Sequence, residues 1–306
     1  MGSQTLLITG GSGFLGSAIV RRLAGDGRRI VVPTRGAARA AHLAGLPGVE
    51  VVEADIHDPA TLHRLAEGTH AVIHLVGVLH SRSGTPWGPD FERAHVALPR
   101  ALVAACRAAG TDRLIHVSAL GADPDGPSQY LRSKAAGETA VREAGDAPAW
   151  TILRPSVVFG PGDSFLNLFA RLARLFPVLP LAGADTRFQP VYVGDVAEVV
   201  ARSLEDDTAR GQTFELAGPR TYTLAELVRL VCRATGRRRL VFGLPEPLAM
   251  LQAAAMECLP APPMSRDNVR SLRVDNVATG APLPFGLVPA ALEDIAPGYL
   301  AGEGRR

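Results

Sequence analysis

The octapeptide TGGSGFLG at residues 9–16 constrains the fold of this chain more than any other segment. It follows an apolar run typical of a β-strand and precedes a pattern typical of an α-helix. In this context Gly10 permits a tight turn, Gly13 lets the backbone approach a pyrophosphate, and Gly16 lets helix and strand pack closely. The first helical N–H groups, at Phe14 and Leu15, would point at the anion. The motif therefore predicts a dinucleotide site that opens a parallel α/β sheet.

The first half of the chain alternates short apolar runs with helical patterns, which is typical of βαβ units. We predict a doubly wound parallel (Rossmann) sheet over residues 1–155. Beyond residue 155, proline and glycine become frequent and the strands become shorter, so residues 156–306 are predicted to form a smaller α/β substrate lobe, interleaved with the first domain. The strands expected in the sheet are Thr5–Thr9, Arg29–Pro33, Val49–Glu53, Ala71–Val76, Arg113–Ser118 and Trp150–Leu153, and a strand over Thr213–Ala217 is expected in the lobe.

The residues after the second strand bear on which nicotinamide dinucleotide is bound. A free ribose 2′-hydroxyl is usually bound by an acidic side chain about 20 residues past the glycines. This chain has Thr34 and Arg35 there instead of an acid. Arg35 can pair with a 2′-phosphate, and Thr34 can donate its hydroxyl. We therefore expect NADP(H) to be preferred, with NAD(H) as the alternative.

Two other strand ends are expected to line the dinucleotide. Asp55 and Ile56 follow the third strand, where an adenine would lie. Leu75, Val76 and Gly77 follow the fourth strand, beside the ribose or the pyrophosphate. Because ligands of open α/β sheets bind outside the carboxyl ends of the strands, both groups are predicted to belong to one site.

Lys134 is the only lysine of a chain whose lysines and arginines number 32 together. It lies four residues after Tyr130, so the two side chains would share one face of a helix. An ammonium beside a phenol favours the phenolate and lowers the tyrosine pKa from about 10, which makes the tyrosine a usable proton donor. Lysine, unlike the rigid arginine fork, can also reach a ribose hydroxyl.

The remaining composition favours an ordinary globular protein. A net charge of +2 with scattered arginines gives no footprint for nucleic acid. Three cysteines without a CxxC pair indicate a reducing compartment, and no secretory pattern opens the chain, so we expect a cytoplasmic location. No metal site is expected, because His70 and His74 on one strand would stand about 13 Å apart. His116, in an apolar strand, is expected to be hydrogen-bonded within the sheet.

The apolar segment Leu244–Pro263 is bounded by prolines. We predict a helix that packs on the smaller lobe. A helix on a membrane surface is the alternative, which its weak polar face disfavours. No apolar run reaches the ~18 residues of a membrane span.

Several motifs together resemble the short-chain dehydrogenase/reductase superfamily, in its extended and atypical branches. They are the glycine motif, Ser118 at the end of the fifth strand, the Tyr130–Lys134 pair, and the later segments LRPSVVFG (153–160) and PVYVGDVA (190–197). A closer resemblance is to bacterial relatives of the NADPH-binding accessory subunit of respiratory complex I. It is carried by YLRSKAAGE (130–138), GPGDSFLN (160–167), SRDNV (265–269) and VDNV (274–277).

The superfamily resemblance implies a role for each matching residue. Tyr130 would be the general acid/base, Lys134 would bind the nicotinamide ribose and tune Tyr130, and Ser118 would hold the substrate carbonyl oxygen. Pro155 and Val157 would flank the nicotinamide. The implied activity is an NADP(H)-dependent oxidoreductase that moves hydride between the nicotinamide and a carbonyl or alcohol of a small-molecule substrate.

Two alternative functions stay open. The resemblance to the complex I subunit implies a non-catalytic NADPH-binding protein with a structural, assembly or redox-sensing role in a protein complex. A nucleotide-sugar epimerase or dehydratase is the other alternative. It is disfavoured because only 12 residues separate Ser118 from Tyr130, and because His95 stands where many extended members carry asparagine.

Overall fold

The computed structural model describes residues 4–260 and 262–302, and within them one large sheet and three two-stranded sheets. In chain order the strands are β1 (Thr5–Thr9), β2 (Arg29–Thr34), β3 (Val49–Glu53), β4 (Ala71–His74), β5 (Arg113–Val117), β6 (Ala149–Pro155), β7 (Val158–Phe159), β8 (Val178–Ala182), β9 (Arg187–Phe188), β10 (Val191–Tyr192), β11 (Gln212–Leu216), β12 (Tyr222–Thr223) and β13 (Leu240–Leu244). The large sheet is parallel throughout, in the order β11-β6-β5-β4-β1-β2-β3. The order reverses between β1 and β4, which confirms the predicted doubly wound sheet.

Helices cover both faces of the large sheet. In chain order they are α1 (Phe14–Leu23), α2 (Pro59–Ala66), α3 (Pro89–Phe91), α4 (Leu98–Ala109), α5 (Gln129–Arg142), α6 (Phe165–Leu175), α7 (Val193–Glu205), α8 (Leu224–Ala234), α9 (Glu246–Met256), α10 (Arg266–Ser271) and α11 (Leu292–Gly302). Short 3-10 segments cover Ala37–Leu43, Asp207–Ala209 and Pro284–Gly286, and a π-helical segment, Glu92–Ala97, joins α3 to α4.

Strand β1 shows why the central strands are apolar on both sides. Leu6 and Ile8 point into the core shared with α1 and α7, whereas Leu7 points into the core shared with α2 and α4. All three side chains are fully buried. Successive strand residues face opposite sides of a sheet, so a sheet covered on both faces needs an unbroken apolar run. Each such side chain contributes about 1.5–3 kcal/mol through burial.

The second half of the chain builds a separate core and also returns to the large sheet. A second hydrophobic cluster gathers α6, α8 and α11 around Phe159, Leu227 and Val231. However, β11 pairs with β6, and α7 packs on α1. The strand predicted over Thr213–Ala217 therefore lies at the edge of the large sheet and not in the smaller lobe. The chain crosses between the two parts more than once, and the division at residue 155 stays a prediction.

Helix α9 occupies the first part of the apolar segment that was predicted to be helical. It packs through Ala249 and Ala253 against Ala182 of β8 and Val269 of α10. Across residues 4–260 and 262–302, no helix combines the length and the apolar character that a membrane span requires.

Candidate functional site

The glycine motif forms a cradle that side chains would fill. Gly10 has a φ of +81°, in the left-handed region. A Cβ on Gly16 would stand 2.2 Å from the carbonyl oxygen of Gly10, so only glycine lets α1 approach the β1 turn this closely. Helix α1 starts at Phe14, its N-cap is Gly13, and within the described chain no side chain caps it. The first N–H groups of α1, which include that of Leu15, are therefore free for an anion, and the cradle fits a pyrophosphate.

The backbone that follows β4 lies against this cradle. A Cβ on Gly10 would stand 3.2 Å from both the carbonyl carbon of Leu75 and the backbone nitrogen of Val76. Gly77 follows, and a Cβ there would lie 3.5 Å from Nε2 of His95. The backbone after β4 thus connects the glycine cradle to the π-helical segment that precedes α4.

The segment after β3 carries its own turn. Asp55 Oδ1 accepts a hydrogen bond from the backbone N–H of His57 at 3.0 Å. Ile56 is partly buried against the core under α2 and α4. Burial lowers the pKa of His57, and the positive charges of Arg93 and Arg35 lower it further. Arg35, which follows β2, therefore shares this corner of the sheet edge with a second arginine that the sequence did not single out.

Thr34 and Arg35 take different positions. Arg35 is exposed directly after β2, where a guanidinium is free to meet a phosphate. Thr34 is buried, and its hydroxyl donates to the carbonyl of Gly36 at 3.2 Å. The threonine hydroxyl is thus used in the local turn, and Arg35 supplies the exposed positive charge after β2.

Lys134 brings α5 to the end of β5. Its Nζ donates to the carbonyl oxygen of Val117 at 2.9 Å, and its side chain is buried. The next residue, Ser118, is 5% exposed, and its Oγ is buried without a hydrogen-bond partner among the described residues. An unpaired buried hydroxyl costs free energy unless a ligand or water uses it. The orphaned Ser118 Oγ therefore marks the end of β5 as a place for a polar ligand atom.

Burial sets the protonation of the tyrosine and the lysine. It raises the pKa of Tyr130 to about 12, which is opposite to the lowering predicted from the Tyr–Lys spacing. That prediction is wrong for this structure, because the Lys134 ammonium is bonded to the Val117 carbonyl and burial disfavours the phenolate. Burial also lowers the pKa of Lys134 to about 8, although the Glu138 carboxylate opposes this shift. At neutral pH the phenol is protonated and the ammonium is charged.

Helix α5 is fixed at its first turn by a residue far away in sequence. Ser128 caps the helix by accepting from the N–H of Leu131. Asp267 of α10 accepts from the N–H groups of Gln129 and Tyr130 at 2.8 and 3.0 Å. A carboxylate is stabilising at a helix N-terminus because it meets unpaired N–H groups and the positive end of the dipole. Sequence reasoning missed this clasp, and only the tail motif SRDNV pointed to the segment.

His95 links the π-helical segment to the same turn of α5. Its Nε2 accepts from the N–H of Val78 at 3.0 Å, so Nδ1 carries the ring proton and donates to Oγ of Ser133 at 2.8 Å. Ser133 Oγ donates in turn to the carbonyl of Tyr130 at 2.8 Å. Burial lowers the pKa of His95 to about 2, so the ring is neutral. Its ring also meets that of Tyr130 edge-on, with centroids 5.6 Å apart. His95 therefore positions Tyr130, although the sequence showed it only as a departure from asparagine.

Two histidines stack under the site. His74 and His116 are partners in the register of β4 and β5, and their ring centroids are 5.2 Å apart. His74 Nδ1 lies 2.8 Å from Thr9 Oγ1, while the other three ring nitrogens are buried without a partner in the described chain. The prediction of a hydrogen-bonded His116 is therefore wrong, because its neighbour is a second imidazole. Burial lowers both pKa values. Within the described residues, no group of three potential metal ligands is present.

The segment after β6 is held by Asn276. Its Oδ1 accepts from the N–H of Val157 at 2.9 Å and from Ser156 Oγ at 2.6 Å. Its Nδ2 donates to the carbonyl of Leu120, which follows the end of β5. Pro155 ends β6 and pairs with Leu216 of β11. The two residues predicted to flank a nicotinamide are thus fixed next to the strand end that carries Ser118.

Comparison with known proteins gives consistent matches. A family profile described as the NAD dependent epimerase/dehydratase family matches residues 6–217. Subunit 9 of the mitochondrial NADH dehydrogenase (ubiquinone) 1 alpha subcomplex from Mus musculus is 36% identical over 244 residues, which are 78% of this chain and 63% of that protein. A ceramide reductase from Caulobacter vibrioides is 37% identical over 252 residues, or 81% of this chain and 76% of that protein.

A solved structure supports the fold. The NADPH-dependent quinone oxidoreductase of Escherichia coli, determined with NADPH, aligns with a TM-score of 0.75 at 22% identity. The alignment covers 96% of this chain and 99% of the other. At this identity the similarity concerns the arrangement of strands and helices.

Proposed function

Because the chain belongs to the NAD dependent epimerase/dehydratase family, we propose that it binds NADP(H) in the glycine cradle and reduces a carbonyl substrate. Family membership confirms the resemblance to the short-chain dehydrogenase/reductase superfamily, and its relatives include a complex I subunit and a named reductase. The observation that carries the proposal is the buried, unpartnered Ser118 Oγ, next to the carbonyl that receives Lys134. A polar ligand atom at this position would satisfy the hydroxyl.

Each residue has a definite task under this proposal. A bound nicotinamide supplies the hydride. Ser118 Oγ would donate a hydrogen bond to the substrate oxygen, and the Tyr130 phenol would pass its proton to that oxygen as negative charge develops. Lys134 would bind the ribose hydroxyls, and Pro155 and Val157 would flank the ring. With a Tyr130 pKa of about 12, the phenol is protonated at neutral pH, so the resting site favours reduction over alcohol oxidation.

The preference for NADP(H) rests on charge. Arg35 is exposed after β2, and it lies close enough to His57 to lower the pKa of that ring together with Arg93. Arg93 is paired with the Asp55 carboxylate at 4.0 Å, so Arg35 supplies the net positive charge that favours a dianionic 2′-phosphate over a hydroxyl. The part of the chain from β1 to Gly77 would hold the rest of the nucleotide through backbone N–H groups and the cradle.

The test is NADPH consumption with a panel of aldehydes and ketones. The panel should include long-chain ketones, since one relative is a ceramide reductase. We expect Tyr130→Phe to lower turnover by about 100-fold or more while NADPH binding persists, because general acid catalysis contributes on that scale. Tyr222→Phe, in the smaller lobe, is the matched control and should stay active. Unchanged turnover in Tyr130→Phe would refute the assigned chemistry.

A second candidate is an NADPH-binding protein without turnover. It is favoured by the similarity to the complex I subunit and by the Lys134 ammonium, which is bonded to a backbone carbonyl. Under this function, NADPH should raise the melting temperature as mass action requires, and the whole panel should consume none of it. The nucleotide-sugar alternative is less favoured, because the loop between Ser118 and Tyr130 stays short. The cytoplasmic location stays a prediction.

A further inference from the structure

One surface of the smaller lobe exposes several large apolar side chains. Strands β8 and β13 pair in parallel, with Val178 opposite Leu240 and Pro180 opposite Phe242. Alternate residues of a strand share a face, so these four side chains lie on the same side of the two-stranded sheet. Leu240 is 62% exposed, and Val178 and Phe242 are also exposed. The opposite face, through Leu179, Leu181 and Val241, is buried in the lobe core.

The helices in contact with β8 also expose large apolar side chains. At the end of α6, Leu175 is 73% exposed, and the exposed Phe176 follows before β8 begins. On the other side, α9 contacts β8 and exposes Leu248 and Leu251. We call this surface the apolar ridge; its exposed members are Leu175, Phe176, Val178, Leu240, Phe242, Leu248 and Leu251. Large exposed apolar patches of this kind mark interaction sites rather than ordinary surface.

The sequence stretches that build most of the apolar ridge are rich in arginine. Residues 164–184, which contain α6 and β8, and residues 227–245, which contain most of α8 and β13, include no aspartate or glutamate. They contain seven arginines: Arg171, Arg174, Arg229, Arg233, Arg237, Arg238 and Arg239. For a chain with a net charge of only +2, this is a marked local excess. Of the acids that border these stretches, Asp185 is exposed shortly after β8, whereas Glu246 at the start of α9 is paired with Arg273.

The three consecutive arginines before β13 differ in their exposure and hydrogen bonding. Arg239 is partly buried and donates through Nε to the carbonyl of Ala173, so it closes the end of α6. Arg238 is exposed, and Arg237 is partly exposed, in the turn between α8 and β13. This turn leads directly into Leu240, so apolar and cationic side chains follow one another along the same edge.

We propose that the apolar ridge docks on the surface of an anionic lipid bilayer. Leucine and phenylalanine side chains would enter the interface between headgroups and acyl chains, and Arg237 and Arg238 in the turn before β13 would meet lipid phosphates. Arginine suits this task because its guanidinium binds phosphate through two hydrogen bonds. The protein would lie on the membrane and not cross it. This inference concerns a surface of the smaller lobe and does not depend on the proposed reduction.

The charge distribution favours a bilayer over a second copy of the chain. Two copies that paired through the ridge would bring two arginine-rich edges together with no acid in either stretch to neutralise them. An anionic bilayer satisfies both the apolar and the cationic groups at once. The helix predicted over Leu244–Pro263 therefore packs on the lobe through one side and presents its other side to this surface.

The test is flotation of the whole protein with lipid vesicles. Vesicles of phosphatidylcholine alone are compared with vesicles that contain about 30% phosphatidylglycerol, at about 50 mM and about 300 mM salt. We expect binding to the anionic vesicles only, and weaker binding at the higher salt concentration. The double variant Arg237→Gln/Arg238→Gln should bind about 30-fold more weakly, since each arginine near the surface contributes about 1 kcal/mol. Arg239 is left intact because it holds α6.

Apolar variants complete the experiment. Leu240→Ser/Phe242→Ser should lose most vesicle binding, whereas Val288→Ser, at a side chain 88% exposed outside the ridge, should retain it. Circular dichroism and the NADPH-induced thermal shift verify that each variant is folded. Equal binding to neutral vesicles, or no binding to any vesicle, would overturn the proposal. So would a stable dimer that the Leu240→Ser/Phe242→Ser variant dissociates, because the ridge would then be a protein interface.

Discussion

Replacing Lys134 by methionine should make the protein more stable and less able to bind nucleotide. The side chain is 5% exposed, and burial lowers its pKa from 10.5 to about 8. Burying the charged ammonium of Lys134 costs free energy of folding. A ligand-binding site explains why a lysine stands there, whereas a purely structural role does not. Lys134→Met keeps the length of the side chain and removes the charge.

The size of the effect follows from the pKa. A lowering from 10.5 to about 8 corresponds to about 3 kcal/mol of unfavourable free energy for the charged form in the fold. Methionine loses the charge-assisted hydrogen bond to the carbonyl of Val117, which is worth about 2 kcal/mol. The net gain at pH 7 is therefore about 1 kcal/mol. For a chain of this length, that corresponds to a rise of about 2 °C in melting temperature.

The stability gain of Lys134→Met should decrease as the pH rises. The folded pKa of Lys134 lies below its usual value, so the unfolded chain binds this proton more tightly. The cost of burying the ammonium is therefore fully present below about pH 8 and disappears as pH rises from about 8 to 10.5. The melting temperatures of wild type and Lys134→Met should converge and then cross over this range, because the loss of the Val117 hydrogen bond remains.

Differential scanning fluorimetry with and without NADPH measures all of these effects. Lys134→Met should melt higher than wild type at pH 7 and show a smaller NADPH-induced shift. Lys134→Arg is the matched control, because it keeps a charge that does not titrate and should melt lower at every pH. A Lys134→Met protein that melts below wild type at pH 7, or a difference that does not shrink toward pH 10, would refute the reasoning.

Three further predictions concern the cradle and its supports. Arg35→Gln should reduce NADPH affinity by about 10-fold or more and leave NADH affinity unchanged in a fluorescence titration, whereas the exposed Arg64→Gln should change neither. Gly16→Ala should lower the free energy of unfolding by about 3 kcal/mol and abolish nucleotide binding, because the new Cβ would stand 2.2 Å from the carbonyl oxygen of Gly10. Gly36→Ala is the control and should melt like wild type, because a Cβ there meets no atom within 4 Å. Asp267→Ala should lower the free energy of unfolding by about 1–2 kcal/mol in urea titrations, because two N–H groups of α5 lose their acceptor; no change would show that water replaces it.

Local patterns explain why the sheet was predictable. Apolar runs and glycines determine the backbone conformation within a few residues. The sequence therefore predicted the glycine cradle and the order of strands and helices in the first half of the chain. Clasps such as Asp267 on the N–H of Tyr130 join residues 137 apart, and no local pattern encodes them. The predicted direction of the Tyr130 pKa shift was wrong for the same reason. Spacing indicates which charge is near, whereas burial depends on everything packed around the phenol.

The prediction for His116 failed at a different level. Its strand neighbours showed correctly that the side chain is buried, but burial alone does not supply a hydrogen-bond partner. The neighbouring strand places His74 opposite it, which depends on the register of β4 and β5. The strand predicted over Thr213–Ala217 is present as β11, but its assignment to the smaller lobe was wrong, because its length and composition suit either sheet.

The clasp of Asp267 on α5 has a consequence for how the protein is made. During synthesis the glycine cradle, Ser118 and Tyr130 emerge from the ribosome early. The sheet from β1 to β6 can then form around them. The carboxylate that fixes the first turn of the tyrosine helix, and the Asn276 amide that fixes Val157, emerge only after more than a hundred further residues. A nascent chain therefore carries every predicted catalytic group before Asp267 and Asn276 have emerged, and the site matures only once both residues have been synthesised.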